Sequence, residues 1–263
     1  MSMITIDSAV RLSLTASLAY LSPDQLAAGR SEYSQRLRPH LQFAEQVTVD
    51  ELSASCTLFT AGVQDESTAG DVVVAFRGST AFRNYLSMFN LGLVPSRLGS
   101  GGGARVHRGY QEATMRLYEK LAPALERHAS SANGGRLSFV GHSYGGGTAT
   151  MSALLHHASG KQVSECVTFA GPRIGDTSFA AGFDEVLGAS TTHLWHERDP
   201  VLAQNQPLWS MRHAFRTPGV QISLQTMAAH RLRAGVCHPI RCARLCAHGQ
   251  ACALLSGRAA AAK

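Results

Sequence analysis

The five residues Gly141-His142-Ser143-Tyr144-Gly145 stand where an apolar run, Leu137 to Val140, gives way to a run of small residues that begins near Gly146 and continues from Gly147 to Ala158. A serine set between two glycines at a strand-to-helix junction can occupy a sharp turn, because neither glycine carries a Cβ to clash with the adjoining strand or helix. The turn lifts the hydroxyl clear of the backbone. The helix that follows aims its first N–H groups, and the positive end of its dipole, at the same spot. The stretch therefore constrains the chain to a fold in which a strand feeds directly into a helix, and it places a nucleophile and support for an anion in one segment.

A serine hydroxyl is a weak nucleophile at neutral pH and needs an imidazole to take its proton and a carboxylate to orient that imidazole. In doubly wound sheets with this turn, the acid follows a later strand and the histidine comes after it. Thr191 to His196 reads as such a strand, and Glu197-Arg198-Asp199-Pro200 as the turn after it, closed by a proline that cannot continue the pairing. Asp199 is the leading acid, with Glu197 as its rival. Downstream stand His213, His230, His238 and His248. Spacing alone does not choose among them. His213 is preferred because it precedes Gly219 to Leu224, a short alternating segment that reads as a hairpin arm, and His230 is the runner-up.

Five blocks, in order, carry a family resemblance. Val72-Val73-Val74-Ala75-Phe76-Arg77-Gly78-Ser79, Val106-His107-Arg108-Gly109-Tyr110, Leu137 to Gly147, Thr168-Phe169-Ala170-Gly171-Pro172-Arg173-Ile174-Gly175-Asp176 and His196-Glu197-Arg198-Asp199-Pro200-Val201 resemble the successive motifs of the class 3, fungal-type lipases within the α/β-hydrolases. The resemblance covers roughly residues 60 to 222. It implies Ser143 as nucleophile, Asp199 as acid and His213 as base, the last from Arg212-His213-Ala214, where Phe215 replaces the family's glycine. It further implies an oxyanion hole formed by the N–H of Tyr144 and by Ser79 through its N–H and hydroxyl. The activity implied is that of a serine carboxylic-ester hydrolase, a lipase that cleaves acyl esters of lipids through an acyl-enzyme. An acyltransferase or phospholipase with the same triad, and a non-catalytic lipase-like signalling or binding module, are the competing readings. The chemistry requires no cofactor and no metal.

From Thr80 to Pro95, Phe82, Tyr85, Leu86, Phe89 and Leu93 recur at helical spacing, with Arg83, Asn84, Ser87 and Asn90 on the other side. In the family this position is a lid, so residues 80–98 are expected to form a helical lid over an acyl-binding groove. Gly99 to Gly103 follows as a flexible run. Helices are expected near Asp7 to Tyr20, Pro23 to Leu37 and Gly109 to Ala129, and strands near Ser55 to Thr60, Asp71 to Arg77, Leu137 to Val140, Ser164 to Phe169 and Thr191 to His196. That alternation predicts an α/β fold with a mostly parallel central sheet and helices on both faces. The expected organisation is an α/β-hydrolase domain over residues 1–225, its N-terminal helices within residues 1–40, followed by a basic tail over residues 226–263.

Charge supports this division. The chain of 263 residues carries a net +6, but Arg212, Arg216, Arg231, Arg233, Arg241, Arg244, Arg258 and Lys263 all follow Asp199, after which no acidic residue occurs; 16 basic residues then face all 18 acidic ones over residues 1–199, a net of −2. The basic character belongs to the C-terminal part, and a nucleic-acid partner is not expected. The expected partner is a lipid or other ester substrate, with transient contact to a membrane or lipid-droplet surface through the lid and the basic tail. Cys237, Cys242, Cys246 and Cys252 also lie in the tail, without the paired C-x2-C spacing of common zinc sites. Cys56 and Cys166 fall in expected strands and read as small buried hydrophobes. Met1 to Ser22 lacks the basic start and unbroken apolar core of a secretory signal, which favours an intracellular or signal-trimmed form.

Overall fold

The computed structural model describes residues 6–62, 70–78, 92–98, 102–128, 135–195 and 220–223. Its centre is a seven-stranded sheet in the order β1-β2-β3-β6-β7-β8-β9. These strands are β1 (Leu41–Val49), β2 (Ala54–Ala61), β3 (Val72–Phe76), β6 (Leu137–His142), β7 (Glu165–Phe169), β8 (Thr191–Trp195) and β9 (Val220–Ser223). β1, β2 and β3 pair antiparallel. From β3 through β6, β7 and β8 to β9 every pairing is parallel. A separate two-stranded ribbon joins β4 (Leu93–Pro95) to β5 (Arg105–His107).

Parallel strands buried on both faces read as continuous apolar runs, because alternate side chains enter different cores. In β3, Val72, Val74 and Phe76 enter one core and Val73 and Ala75 the other; Phe139 and Val140 of β6 divide in the same way. The larger core lies under α4 (Arg108–His128), α5 (Tyr144–Ala158) and α6 (Thr177–Leu187), with Leu117, Leu121, Phe139, Met151, Phe179 and Phe183 all fully buried. Removing each such side chain from water contributes about 1.5–3 kcal/mol. The second core is closed by α1 (Ile6–Leu18), whose Leu12, Leu14 and Leu18 meet Val73, Ala75, Val140 and Val167.

The expected strands all form, within a residue or two of their read boundaries. Several other expectations change. Pro23 to Leu37 is two helices, α2 (Pro23–Ala28) and α3 (Glu32–Leu37), because Gly29 takes a left-handed conformation that caps the first and the Ser31 side chain caps the second. Leu93 to Pro95 belongs to a strand rather than to the end of a lid helix, its partners on β5 supplying the ladder. Val220–Ser223 lies parallel to β8 and extends the sheet, so it is no hairpin arm. β1 and α6 were not expected. In β1 the register slips between Phe43 and Glu45, leaving Ala44 as an extra residue, while Glu45 reaches Arg127 and His128 of α4. The Arg127 guanidinium beside it holds the Glu45 carboxyl below the usual carboxylate range. Cys56 and Cys166 are buried free thiols, as read, and burial raises both pKa values, that of Cys166 to about 12.

Candidate active site

Ser143 is the single residue between the end of β6 and the start of α5, and its backbone has φ 54° and ψ −124°. This is a conformation that L-residues rarely adopt, that costs about 1–3 kcal/mol, and that persists only where the surroundings enforce it. They do so here. The Ser143 N–H donates to the Phe169 carbonyl at the end of β7, 2.9 Å away, and its own carbonyl accepts from Gly146 N–H at 2.8 Å. The flanking glycines are required by close approach: a Cβ on Gly141 would stand 2.1 Å from the Gly145 carbonyl oxygen, and one on Gly145 would stand 2.1 Å from that of Phe76. The start of α5 thus rests directly against the end of β3.

Tyr144 is the first residue of α5, where the helical ladder supplies no acceptor to the backbone N–H. Its ring packs on Tyr110 with centroids 4.9 Å apart, and burial pushes its hydroxyl pKa up to about 12. Ser143 and Tyr144, neighbours in the chain, both stand at the junction of β6 and α5. Ser79, Glu197, Asp199, His213 and His230 lie outside the described residues, as do residues 80–91 of the expected lid, residues 99–101 of the glycine run and the whole of the 226–263 segment. Their immediate anchors are described. Gly78 is the residue before Ser79, and β8, which leads toward Asp199, runs parallel to β7, itself the neighbour of β6. The C-terminal ends of these strands share one edge of the sheet, which is where open α/β sheets hold their ligands.

His142 adjoins Ser143 in sequence, yet it is poorly suited to act as the base. Burial lowers its pKa to about 4, well below what a general base needs at neutral pH, and its Nδ1 is engaged by the Tyr20 hydroxyl at 2.8 Å. Tyr20 follows α1 and was not singled out in the sequence, since nothing in a helix pattern marks the residue just beyond its end as facing a site. Its oxygen also packs against the Gly78 backbone, and burial pushes its own pKa up to about 12. A Cβ on Gly78 would meet that oxygen at 2.1 Å and the His142 carbonyl oxygen at 2.7 Å. Asp176, the last residue of the fourth motif block, has a plainly structural position: its carboxylate caps α6 through Phe179 N–H at 2.8 Å and accepts Arg105 N–H at 3.2 Å. Among the described residues no cluster of His, Cys, Asp or Glu has the arrangement of a metal site.

A mostly parallel sheet between two helical layers, with a serine on a strained turn at the end of a central strand, defines an α/β-hydrolase fold. The pattern of the lipase (class 3) family matches residues 73–204, half of the sequence, and the chain belongs to that family. Among relatives, it is 28% identical over 179 residues to secreted mono- and diacylglycerol lipase 1 of Fusarium solani, covering 66% of this chain and 51% of that protein. It is also 28% identical over 199 residues to phospholipase A1-II 4 of Oryza sativa subsp. japonica, covering 65% and 49%. The chain spans about half the length of these curated relatives. In fold it is similar to the crystal structure of the lipase from Rhizopus microsporus var. chinensis, with a TM-score of 0.70 at 18% identity, over 85% of this chain and 75% of that one.

Proposed function

We propose that the chain is a serine carboxylic-ester hydrolase acting on acyl esters of lipids, with Ser143 as nucleophile, His213 as general base and Asp199 as the acid that orients it. The observation that carries this reading is the backbone of Ser143, held at φ 54° and ψ −124° by hydrogen bonds and by two close backbone approaches. A strain of that size, maintained at one hydroxyl, has a function in presenting it. His213 takes the proton as the Ser143 oxygen attacks the acyl carbonyl, and the tetrahedral oxyanion forms beside the N–H of Tyr144 and Ser79. Donors of this kind contribute about 3 kcal/mol each to the transition state in enzymes where they have been removed. Collapse expels the alcohol, protonated by His213, and water activated by the same imidazole releases the fatty acid.

Relatives named as a mono- and diacylglycerol lipase and as a phospholipase A1 support glycerolipid esters as the substrate class. Residues 80–91 of the expected lid and the basic residues after Asp199 supply the proposed contact with a lipid surface. No helix among the described residues is long and apolar enough to cross a membrane. The name of the Fusarium solani relative marks that protein as secreted. The test is labelling with a fluorophosphonate followed by peptide mapping, with a panel of glycerolipid and p-nitrophenyl esters assayed alongside. Label on Ser143, lost in Ser143→Ala together with ester hydrolysis, is the expected result. Unlabelled Ser143 in a folded protein refutes the reading.

A further inference from the structure

We infer that Tyr20 is a positioning residue for acyl transfer at Ser143, its hydroxyl clamping the nucleophile's strand to the backbone that leads into the proposed oxyanion donor Ser79. The inference rests on the reading of Ser143 as nucleophile. Three separate segments meet at this one oxygen. Gly78, two residues beyond the end of β3, packs its backbone directly against it. The oxygen in turn lies 2.8 Å from Nδ1 of His142, the residue directly before Ser143 on β6. Tyr20 itself is carried by the segment after α1, which closes the second core against both strands.

The hydrogen bond to His142 runs in one sense. Burial keeps the His142 imidazole neutral, so Nδ1 offers a lone pair, and burial keeps the phenol protonated. Oη–H therefore donates to Nδ1, and the same oxygen rests against the Gly78 backbone. Gly78 is wedged as tightly as the turn glycines: an added Cβ would lie 2.1 Å from the Tyr20 oxygen and 2.7 Å from the His142 carbonyl oxygen. The phenol oxygen thus sets the distance between the ends of β3 and β6, in addition to their ladder pairing of Phe76 with Gly141. An oxyanion hole assembled from those two strand ends needs its donors placed to a fraction of an ångström, and a misplacement of about 1 Å costs on the order of a hundredfold in rate. Tyr20 touches neither substrate nor reacting atoms in this account. It acts through Gly78 and His142.

The test compares the full-length chain with Tyr20→Phe, which keeps the ring and removes the oxygen. Active sites are counted by fluorophosphonate and a soluble short-chain p-nitrophenyl ester is the substrate. The expected result is a kcat per titrated site lowered about 10- to 100-fold, with KM within about twofold of wild type. A residue that only supported folding would lower the melting temperature and the number of titrated sites and leave kcat per site unchanged; that outcome overturns the inference. A second pair decides the matter should Tyr20→Phe not fold. His142→Asn retains an acceptor near the place of Nδ1 and is expected to keep most of kcat, whereas His142→Leu is expected to lose it. Equal kcat values in these two also overturn the clamp. A wild-type protein that hydrolyses the ester and labels on Ser143 while Tyr20→Phe is unaffected refutes the clamp alone, and an unlabelled wild type refutes the reading of Ser143 and the clamp with it.

Discussion

Alanine at position 145 would place a methyl carbon 2.1 Å from the carbonyl oxygen of Phe76 and 2.7 Å from its carbonyl carbon, both backbone atoms of β3. Opening the first contact to an ordinary 3.4 Å requires a displacement of about 1.3 Å. Neither side yields cheaply: Phe76 is laddered to Cys56 and Gly141, and α5 is anchored in the larger core by Ala149, Met151, Ala153 and Leu154. Overpacking of this kind costs about 1–3 kcal/mol. The displacement also separates Ser143 from the Gly78 backbone, and at about 1 Å it is expected to lower turnover on the order of a hundredfold. The assay is urea unfolding followed by fluorescence, together with kcat per phosphonate-titrated site on a soluble ester. Gly102→Ala serves as the control, since a Cβ there meets nothing within 4 Å, and its stability is expected to stay within about 0.5 kcal/mol of wild type. If Gly145→Ala matches that control in both stability and turnover, the packing of α5 against β3 does not hold the turn, and the argument for an enforced Ser143 conformation fails.

Other expectations are briefer. Ser143→Gly relieves the strained backbone at φ 54°, so its urea midpoint should rise by the equivalent of about 1 kcal/mol while phosphonate labelling disappears; a variant no more stable than wild type would show that the turn stores no strain. Ala170 also has a positive φ, of 51°, and Ala170→Gly should gain about 0.5–1 kcal/mol in the same measurement, net of the extra freedom glycine gives the unfolded chain. Asp176→Ala removes the cap on Phe179 N–H and the acceptor for Arg105 N–H, and should lose about 1–2 kcal/mol, largely restored by asparagine. Burial lowers the pKa of both His142 and His156 from 6.5 to about 4. The unfolded chain therefore takes up protons first. The stability that depends on keeping these rings neutral is fully present above pH 6.5 and is lost as pH falls toward about 4, by at most roughly 3 kcal/mol from each. Urea midpoints at neutral pH and at about pH 4.5 measure it, and His156→Gln should flatten the dependence.

The strands of the parallel part of the sheet were legible because each is a short apolar run bounded by turn residues, and burial on both faces removes any alternation that would confuse the reading. Ser143 was legible for a related reason: the glycines around it answer to close backbone approaches, and such positions leave a mark in the sequence that side-chain packing does not. β1 was harder. Glu45 and Gln46 interrupt its apolar pattern, and their place is explained only by the ion pair with Arg127 on α4 and the hydrogen bonds of Gln46 to the Leu21 carbonyl and Thr57. The break inside Pro23 to Leu37 was in fact signalled, since Ser22 and Gln25 form a capping box and Gly29 with Ser31 ends one helix and starts the next. α5 begins at Tyr144, ahead of the reading, because its three consecutive glycines, poor helix formers by propensity, are held in the helix by contacts with Phe76, Gly171 and Tyr110. Tyr20 left no trace of its role, as its partners Gly78 and His142 are 58 and 122 residues away in sequence.

The extra residue in β1 has a bearing on how molecules of this protein meet one another. Among the described residues β1 is the outermost strand on its side of the sheet, and a flat outer strand offers its unused amides as a template for a second chain. At Ala44 the repeat of donors and acceptors is broken, and Glu45 next to it is tied by a carboxylate to Arg127 at 2.8 Å. A second copy adding itself there would have to iron out the bulge and strip that charge of its partner. Aggregation by strand addition is thereby discouraged along this rim while the chain is folded.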